Sequence, residues 1–88
     1  MNNQRRKDID AALKLVADAR AAIDALREAI EPIKEEEQEY YDNMPESLQG
    51  GEKGEAAQAA IDALENAMSD LEGIDLDAIE GALEEAKG

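Results

Sequence analysis

The amino-acid sequence predicts an all-α fold: an antiparallel helical hairpin of two long helices, with a second arm kinked or broken near Gly73, that assembles into a helical bundle. Three observations predict it. Apolar residues recur at heptad spacing in the first half, a glycine-rich segment follows, and helical spacing then resumes. The 88 residues fit a single domain, with helices expected over 8–42, 55–72 and 75–87 and a loop over 43–54.

The first helix is predicted from a heptad repeat in which Ile9 is position a. Of the eleven a and d positions up to Met44, ten are apolar, and Glu37 is the exception. This register argues against disorder, which the high charge and the low content of large apolar residues would otherwise indicate. We expect the larger of these side chains to form the core or interface: Ile9, Val16, Ile23, Leu26, Ile30, Ile33 and Tyr40.

Polar residues at the ends and along one flank complete the first helix. Asp8 is expected at its start, because acidic side chains favour the positive end of the helix dipole. Asn43 is expected to end it in a left-handed conformation. The e positions carry a basic stripe whose aliphatic stems can cover apolar surface while the charged ends stay in water. This stripe consists of Arg20, Arg27 and Lys34.

The turn and the second arm follow from loop-forming residues and a second apolar series. Pro45 and three glycines predict a loop with room for one helical turn. Two interpretations of Gly73 are open: it ends the second helix and Asp75 caps a third, or the helix continues through a kink. We favour the break. The expected core residues of this arm, at helical spacing, are Ile61, Leu64, Met68 and Leu71.

Self-association is expected because two helices alone would bury too little apolar surface. Alanine contributes 17 of the 38 apolar residues, so each helix contact removes little area from water. Either the last segment folds back to make a three-helix bundle, or two hairpins form a four-helix bundle. We favour a homodimer or a higher oligomer.

The net charge of −14 is concentrated in the second half of the chain. Residues 1–44 carry 7 basic and 11 acidic side chains, whereas residues 45–88 carry 2 and 12. Between Glu55 and Ala86 there are ten acidic residues and no basic one. An antiparallel arrangement would place the basic stripe beside this arm and leave an acidic outer face.

Composition and spacing exclude several function classes. The chain has no His and no Cys, so the commonest general base, thiol chemistry and the usual zinc ligands are missing. No segment has the ligand spacing of an EF-hand loop, and no glycine-rich phosphate loop follows a strand. We therefore predict no catalytic residue, no cofactor and no metal site. No apolar run is long enough to span a membrane, so a cytoplasmic protein is expected. The negative charge disfavours direct nucleic-acid binding.

Two groups of residues are candidates for binding a partner protein. Tyr41 and Met44 lie beside the predicted loop, and tyrosine is enriched at protein interfaces. Glu65, Asp70 and Glu72 represent the acidic face, whose charge suits a basic partner.

The run Tyr40-Tyr41-Asp42-Asn43-Met44-Pro45-Glu46 at the turn is the most distinctive motif of the chain. With its flanks over 34–70, it resembles small uncharacterised acidic proteins of bacterial genomes and their phages. The resemblance implies a helical hairpin with a preferred turn, encoded by a mobile element, and it assigns no residue a role.

The sequence thus favours a non-enzymatic, self-associating helical hairpin that binds another protein. Two alternatives are open. In the first, the chain is an acidic nucleic-acid mimic that inhibits a host enzyme acting on DNA or RNA. In the second, it is an oligomeric sponge for a small anionic ligand, held where the basic stripes of several chains converge.

Overall fold

A computed structural model describes residues Met1–Gly88 as four helices and no strand, which confirms the all-α class. The helices are α1 (Asn3–Asp42), α2 (Glu46–Gln49), α3 (Glu52–Glu72) and α4 (Leu76–Lys87). None of them combines the length and apolar character needed to cross a bilayer. The chain divides into two compact units. The first unit joins Met1–Ala25 with Ile74–Gly88, and the second unit is Leu26–Gly73, so that α1 contributes to both.

α1 is one continuous helix of 40 residues that runs through Pro32, about 60 Å at 1.5 Å per residue. It begins at Asn3, before the predicted start at residue 8. The reason is a side-chain cap: Asn2 accepts a hydrogen bond of 2.8 Å from the Arg5 backbone N–H. The first turn contains no acidic residue, so Asp8 does not have the expected position at the helix start.

α1 ends at Asp42 without the left-handed Asn43 that the sequence suggested, since no residue other than glycine has a positive φ. Instead, the Met44 backbone N–H donates to the Tyr41 carbonyl at 3.1 Å and tightens the last turn. The expected loop contains α2, in which the Leu48 backbone N–H donates to the Pro45 carbonyl at 2.8 Å.

In the second unit, α2 packs closely against the start of α3. Gly54 is buried, and a Cβ atom at this position would collide with the backbone carbonyl group of Gln49. α3 begins at Glu52 rather than at residue 55, because Gly51 precedes its first turn and accepts a hydrogen bond of 2.9 Å from the Glu55 N–H. Further along the same face, Ala57 and Ile61 are 2 % and 1 % exposed and form the apolar core of this unit.

In the first unit, α4 packs against the N-terminal part of α1, and Val16 is the buried residue. α3 ends at Glu72 and α4 begins at Leu76, so the second arm is two helices separated by residues 73–75. The Asp75 side chain accepts a hydrogen bond of 3.0 Å from the Ala78 N–H and caps α4. This arrangement corresponds to the first interpretation of Gly73, a break followed by a capped helix.

Candidate functional site

α1 has two apolar faces, and the chain itself covers only one of them. The inner face consists of the heptad positions a and e. Every residue at these positions from Leu13 to Tyr41 is buried or half-buried, and Val16 is 8 % exposed. The chain's own contacts therefore use positions a and e along the whole helix, whereas the predicted d positions are half-buried only at Ala12 and Ala19 and are exposed from Leu26 onwards.

Charge explains why α1 turns its e positions towards α4 in the first unit. Arg20 forms ion pairs with Asp77 at 2.9 Å and with Glu80 at 3.2 Å. These contacts, chiefly the hydrogen bond to Asp77, raise the pKa of Arg20 above its ordinary value. The basic stripe was expected to flank the contact between helices. It belongs to the inner face instead, and in the first unit the carboxylates of α4 attract its Arg20.

Two further polar contacts join the last turn of α4 to the start of α1. Lys87 Nζ lies 2.7 Å from Asp10 Oδ1, and Arg6 Nε donates to the Lys87 carbonyl at 3.3 Å. Because the contacts pair Asp10 with Lys87 and Arg20 with Asp77, α4 runs antiparallel to this part of α1. The charged groups are partly exposed, so these contacts are sensitive to salt.

An open groove of about 600 Å³ lies in the second unit. Lys34 is the single basic residue in its lining, and its Nζ atom is 3.9 Å from Glu31. No group of three acidic residues is placed to hold a metal ion. The groove is therefore a negatively charged surface. Its remaining lining residues are Glu35, Gln38, Glu39, Asp42, Asn43 and Glu65.

The predicted partner-binding residues do not form one site. Tyr41 and Met44 are half-buried at the end of α1 and just after it. Glu65 is exposed and lines the acidic groove. Asp70 and Glu72 are exposed in the last turn of α3, outside that groove. Only Glu65 thus shares a concave surface with residues of α1.

The second apolar face of α1 is uncovered in the second unit. It is formed by the d and g residues Leu26, Ala29, Ile33 and Tyr40, which we call the outer stripe. Leu26 is 49 %, Ile33 53 % and Tyr40 50 % exposed, and Ala29 is exposed as well. This corrects the expectation that Leu26, Ile33 and Tyr40 pack within the chain's own core. As residues of an interface with another chain they stay a prediction.

The other predicted core residues are covered to different degrees. Val16 and Ile61 are buried. The rest are half-buried, as expected for helices that contact each other along a single face: Ile9, Ile23, Ile30, Leu64, Met68 and Leu71.

Sequence analysis missed the g positions of α1, although the signal is present. Leu15, Ala22 and Ala29 are spaced seven apart at g, and they alternate with the d residues at intervals of three and four. Leu15, which lies in the first unit, is 67 % exposed. A search for a second heptad seam in the same helix would have found this face.

No known protein family, curated protein or solved structure matches this chain. The resemblance of the turn region to small acidic bacterial and phage proteins therefore stays a prediction.

Proposed function

We propose that the protein is a non-enzymatic, self-associating helical hairpin that acts by binding another protein. The observation that carries this proposal is the small core. Only Val16, Ala57 and Ile61 are buried hydrophobic residues, whereas eight large hydrophobic side chains are between 48 % and 67 % exposed. Small domains with so little buried surface usually gain stability from oligomerisation.

The total exposed area supports self-association. The chain exposes 6335 Å². A folded monomer of its mass, 9.5 kDa, exposes about 5,000 Å² by the usual scaling. A standard protein interface covers about 800 Å² on each partner. One such interface would cover much of the area by which this chain exceeds an ordinary monomer.

In the proposed assembly, α1 and the arm made of α3 and α4 form an antiparallel hairpin, and hairpins join into a helical bundle. The non-enzymatic character is argued from composition, because no His or Cys is present to act as base or nucleophile. The exposed acidic side chains of the second arm would recognise a basic protein. A cytoplasmic location and an origin in a phage or mobile element complete the proposal.

Light scattering after size-exclusion chromatography tests self-association directly. We expect a mass of at least two chains, and we expect the oligomer to strengthen with added salt, because each chain carries a charge of −14. A single-chain mass at every concentration and salt level would contradict the proposal.

Partner binding is tested with the immobilised chain and a bacterial lysate, followed by titration of the captured protein in pure form. We expect a basic partner that is released by salt, the opposite of the salt effect on self-association. If no protein is captured in stoichiometric amounts, the binding part of the proposal fails.

The acidic nucleic-acid mimic is the second candidate, and the surface of α3 favours it. Five acidic residues of this helix from position 55 onwards are exposed, and no basic residue lies among them: Glu55, Asp62, Glu65, Asp70 and Glu72. Such a surface can compete for the cationic groove of an enzyme that binds DNA or RNA.

Competition with DNA for such an enzyme tests this candidate, and two charge-matched variants sharpen the test. Neutralising four acids of α3 should abolish competition, whereas neutralising four exposed acids of α1 should leave it largely unchanged. Equal losses in both variants would show a non-specific charge effect. The first set is Asp62, Glu65, Asp70 and Glu72, and the second is Asp8, Asp18, Glu28 and Glu36, which lie outside the acidic groove.

The small-ligand sponge is the least supported proposal. It requires the basic stripe to face a shared anionic ligand. Arg20 already contacts the carboxylates of Asp77 and Glu80, and Lys34 lies beside Glu31. An anion would have to displace these carboxylates from a half-buried face. Unchanged melting temperatures across a panel of nucleotides would remove the sponge from consideration.

A further inference from the structure

We propose that the outer stripe of α1 binds the outer stripe of a second copy of this chain, with the two helices antiparallel and a two-fold axis at Ile33. The inference rests on the proposed self-association and names the surface and the geometry that carry it. Its starting point is that Leu26, Ala29, Ile33 and Tyr40 form an apolar face that the second unit leaves uncovered.

The spacing of the stripe suits a two-fold symmetric contact. Leu26 and Tyr40 are each seven residues from Ile33, so both lie two helical turns from it on the same side of α1. In a two-fold interface, residue i of one copy contacts residue j of the other, and the reverse contact also occurs. An axis at Ile33 therefore places Leu26 of each copy against Tyr40 of the other. Ile33 then packs against Ile33.

Charge selects the antiparallel orientation over the parallel one. Glu36, an exposed g residue, interrupts the stripe between Ile33 and Tyr40. A parallel pair would place the two Glu36 carboxylates beside each other, which is repulsive in a site that excludes water. In the antiparallel pair, the two Glu36 residues are about 9 Å apart along the axis. Each then lies near Ala29 of the other copy, where the stripe carries no carboxylate.

The stripe spans 14 residues, from Leu26 to Tyr40, or about 21 Å of helix. This length supports an interface at the small end of the known range, below about 1,200 Å² in total. The chain's exposed area of 6335 Å² exceeds that of an ordinary monomer by enough to supply such a contact. We therefore expect a weak, reversible dimer whose fraction rises with protein concentration.

Cysteine cross-linking tests the geometry, because the natural sequence contains no cysteine. Ile33→Cys should form a disulfide-linked dimer under mild oxidation, since only residues near the axis approach their own copy. Leu26→Cys and Tyr40→Cys should not cross-link alone, but a mixture of the two variants should. The control is Ile79→Cys on α4, a position that is 49 % exposed and outside the stripe.

Two results would overturn the geometry. If Ile33→Cys cross-links no faster than Ile79→Cys, the axis is not at Ile33. If Leu26→Cys cross-links efficiently by itself, the helices are parallel. Conversely, heterodimers from the mixed variants together with rapid Ile33→Cys cross-linking support the proposed arrangement.

Sedimentation equilibrium separates the failure of this inference from failure of self-association. The double variant Leu26→Gln/Ile33→Gln should weaken the dimer at least tenfold and keep its helical content, because both side chains are half exposed in the single chain. The matched variant Ile79→Gln should dimerise as the natural chain does. If the natural chain is monomeric, the proposed self-association fails as well. If it dimerises and the double variant dimerises equally well, only the outer stripe is refuted.

Discussion

The first unit joins α4 to α1 mainly through charged side chains, whereas the second unit joins α2 and α3 through close packing of backbone and small apolar groups. In the first unit, Arg20 contacts Asp77 and Glu80, and Lys87 contacts Asp10. In the second, Gly54 lies against the Gln49 backbone, and Ile61 is 1 % exposed. Ion pairs thus stabilise the contacts of α4, whereas close packing stabilises the contacts of α3. We expect salt to affect mainly the first unit and large-to-small mutations mainly the second.

The largest effect is expected from Ile61→Ala in the second unit. Removing three carbon atoms from a buried site leaves a cavity and costs about 2–5 kcal/mol of unfolding free energy. Urea unfolding followed by circular dichroism measures this loss. The control is Ile79→Ala in the first unit, where the side chain is 49 % exposed and the loss should be below about 1 kcal/mol. Equal losses at the two positions would refute the difference between the units.

Substitution by alanine should lower the unfolding free energy at Gly54 and raise it at Gly81. In Gly54→Ala the new Cβ would lie 2.6 Å from the Gln49 Cα and collide with its carbonyl, so we expect a loss of about 1–3 kcal/mol. In Gly81→Ala on α4 the new Cβ meets nothing within 4 Å. There the higher helix propensity of alanine should add about 0.5–1 kcal/mol. Thermal melts of both variants check the prediction, and a gain at Gly54 would contradict the close approach of α2 and α3.

The smallest effect is expected from Arg20→Met, and it should depend on salt. Without the ion pairs to Asp77 and Glu80, the backbone amides of α4 should exchange hydrogen faster at low salt, while those of α3 keep their rates. Near 1 M salt, where the screening length is about 3 Å, the difference should vanish. Lys14→Met, which removes the same charge from an exposed position of α1, serves as the control. Faster exchange in α4 for both variants would mean that net charge, and not the Arg20 contacts, holds this helix.

Periodicity and local signals predicted much of the fold. The heptad register from Ile9 predicted the long helix α1, and its expected end at Asp42 is correct although Asn43 is not left-handed. Asp75 was correctly expected to cap α4. The start of α1 was placed too late because the dipole argument favoured Asp8, whereas the Asn2 side chain provides the cap.

The candidate surface was harder to predict, because apolar residues at positions a, d and g beside a basic stripe at e do not determine which positions face the chain itself. In the first unit, Arg20 at an e position contacts carboxylates of α4 that are far away in the sequence, and no local pattern contains this attraction. For the same reason, Leu26, Ile33 and Tyr40 were predicted as core residues of the hairpin, although they are about half exposed. The position of Glu65 in a groove with residues of α1 likewise depends on how α3 packs.

The neighbouring tyrosines at the end of α1 face different surroundings, and this gives the chain two separate optical reporters. Tyr41 is half-buried on the inner face, whereas Tyr40 is 50 % exposed on the outer stripe. Because the chain has no Trp and no other Tyr, its intrinsic fluorescence comes from these two phenol rings alone. In a Tyr40→Phe variant the fluorescence would come from Tyr41 alone, whose surroundings change on unfolding. In a Tyr41→Phe variant it would come from Tyr40 alone, which lies at the proposed dimer contact. Folding and pairing could thus be followed separately in one protein without attaching a dye.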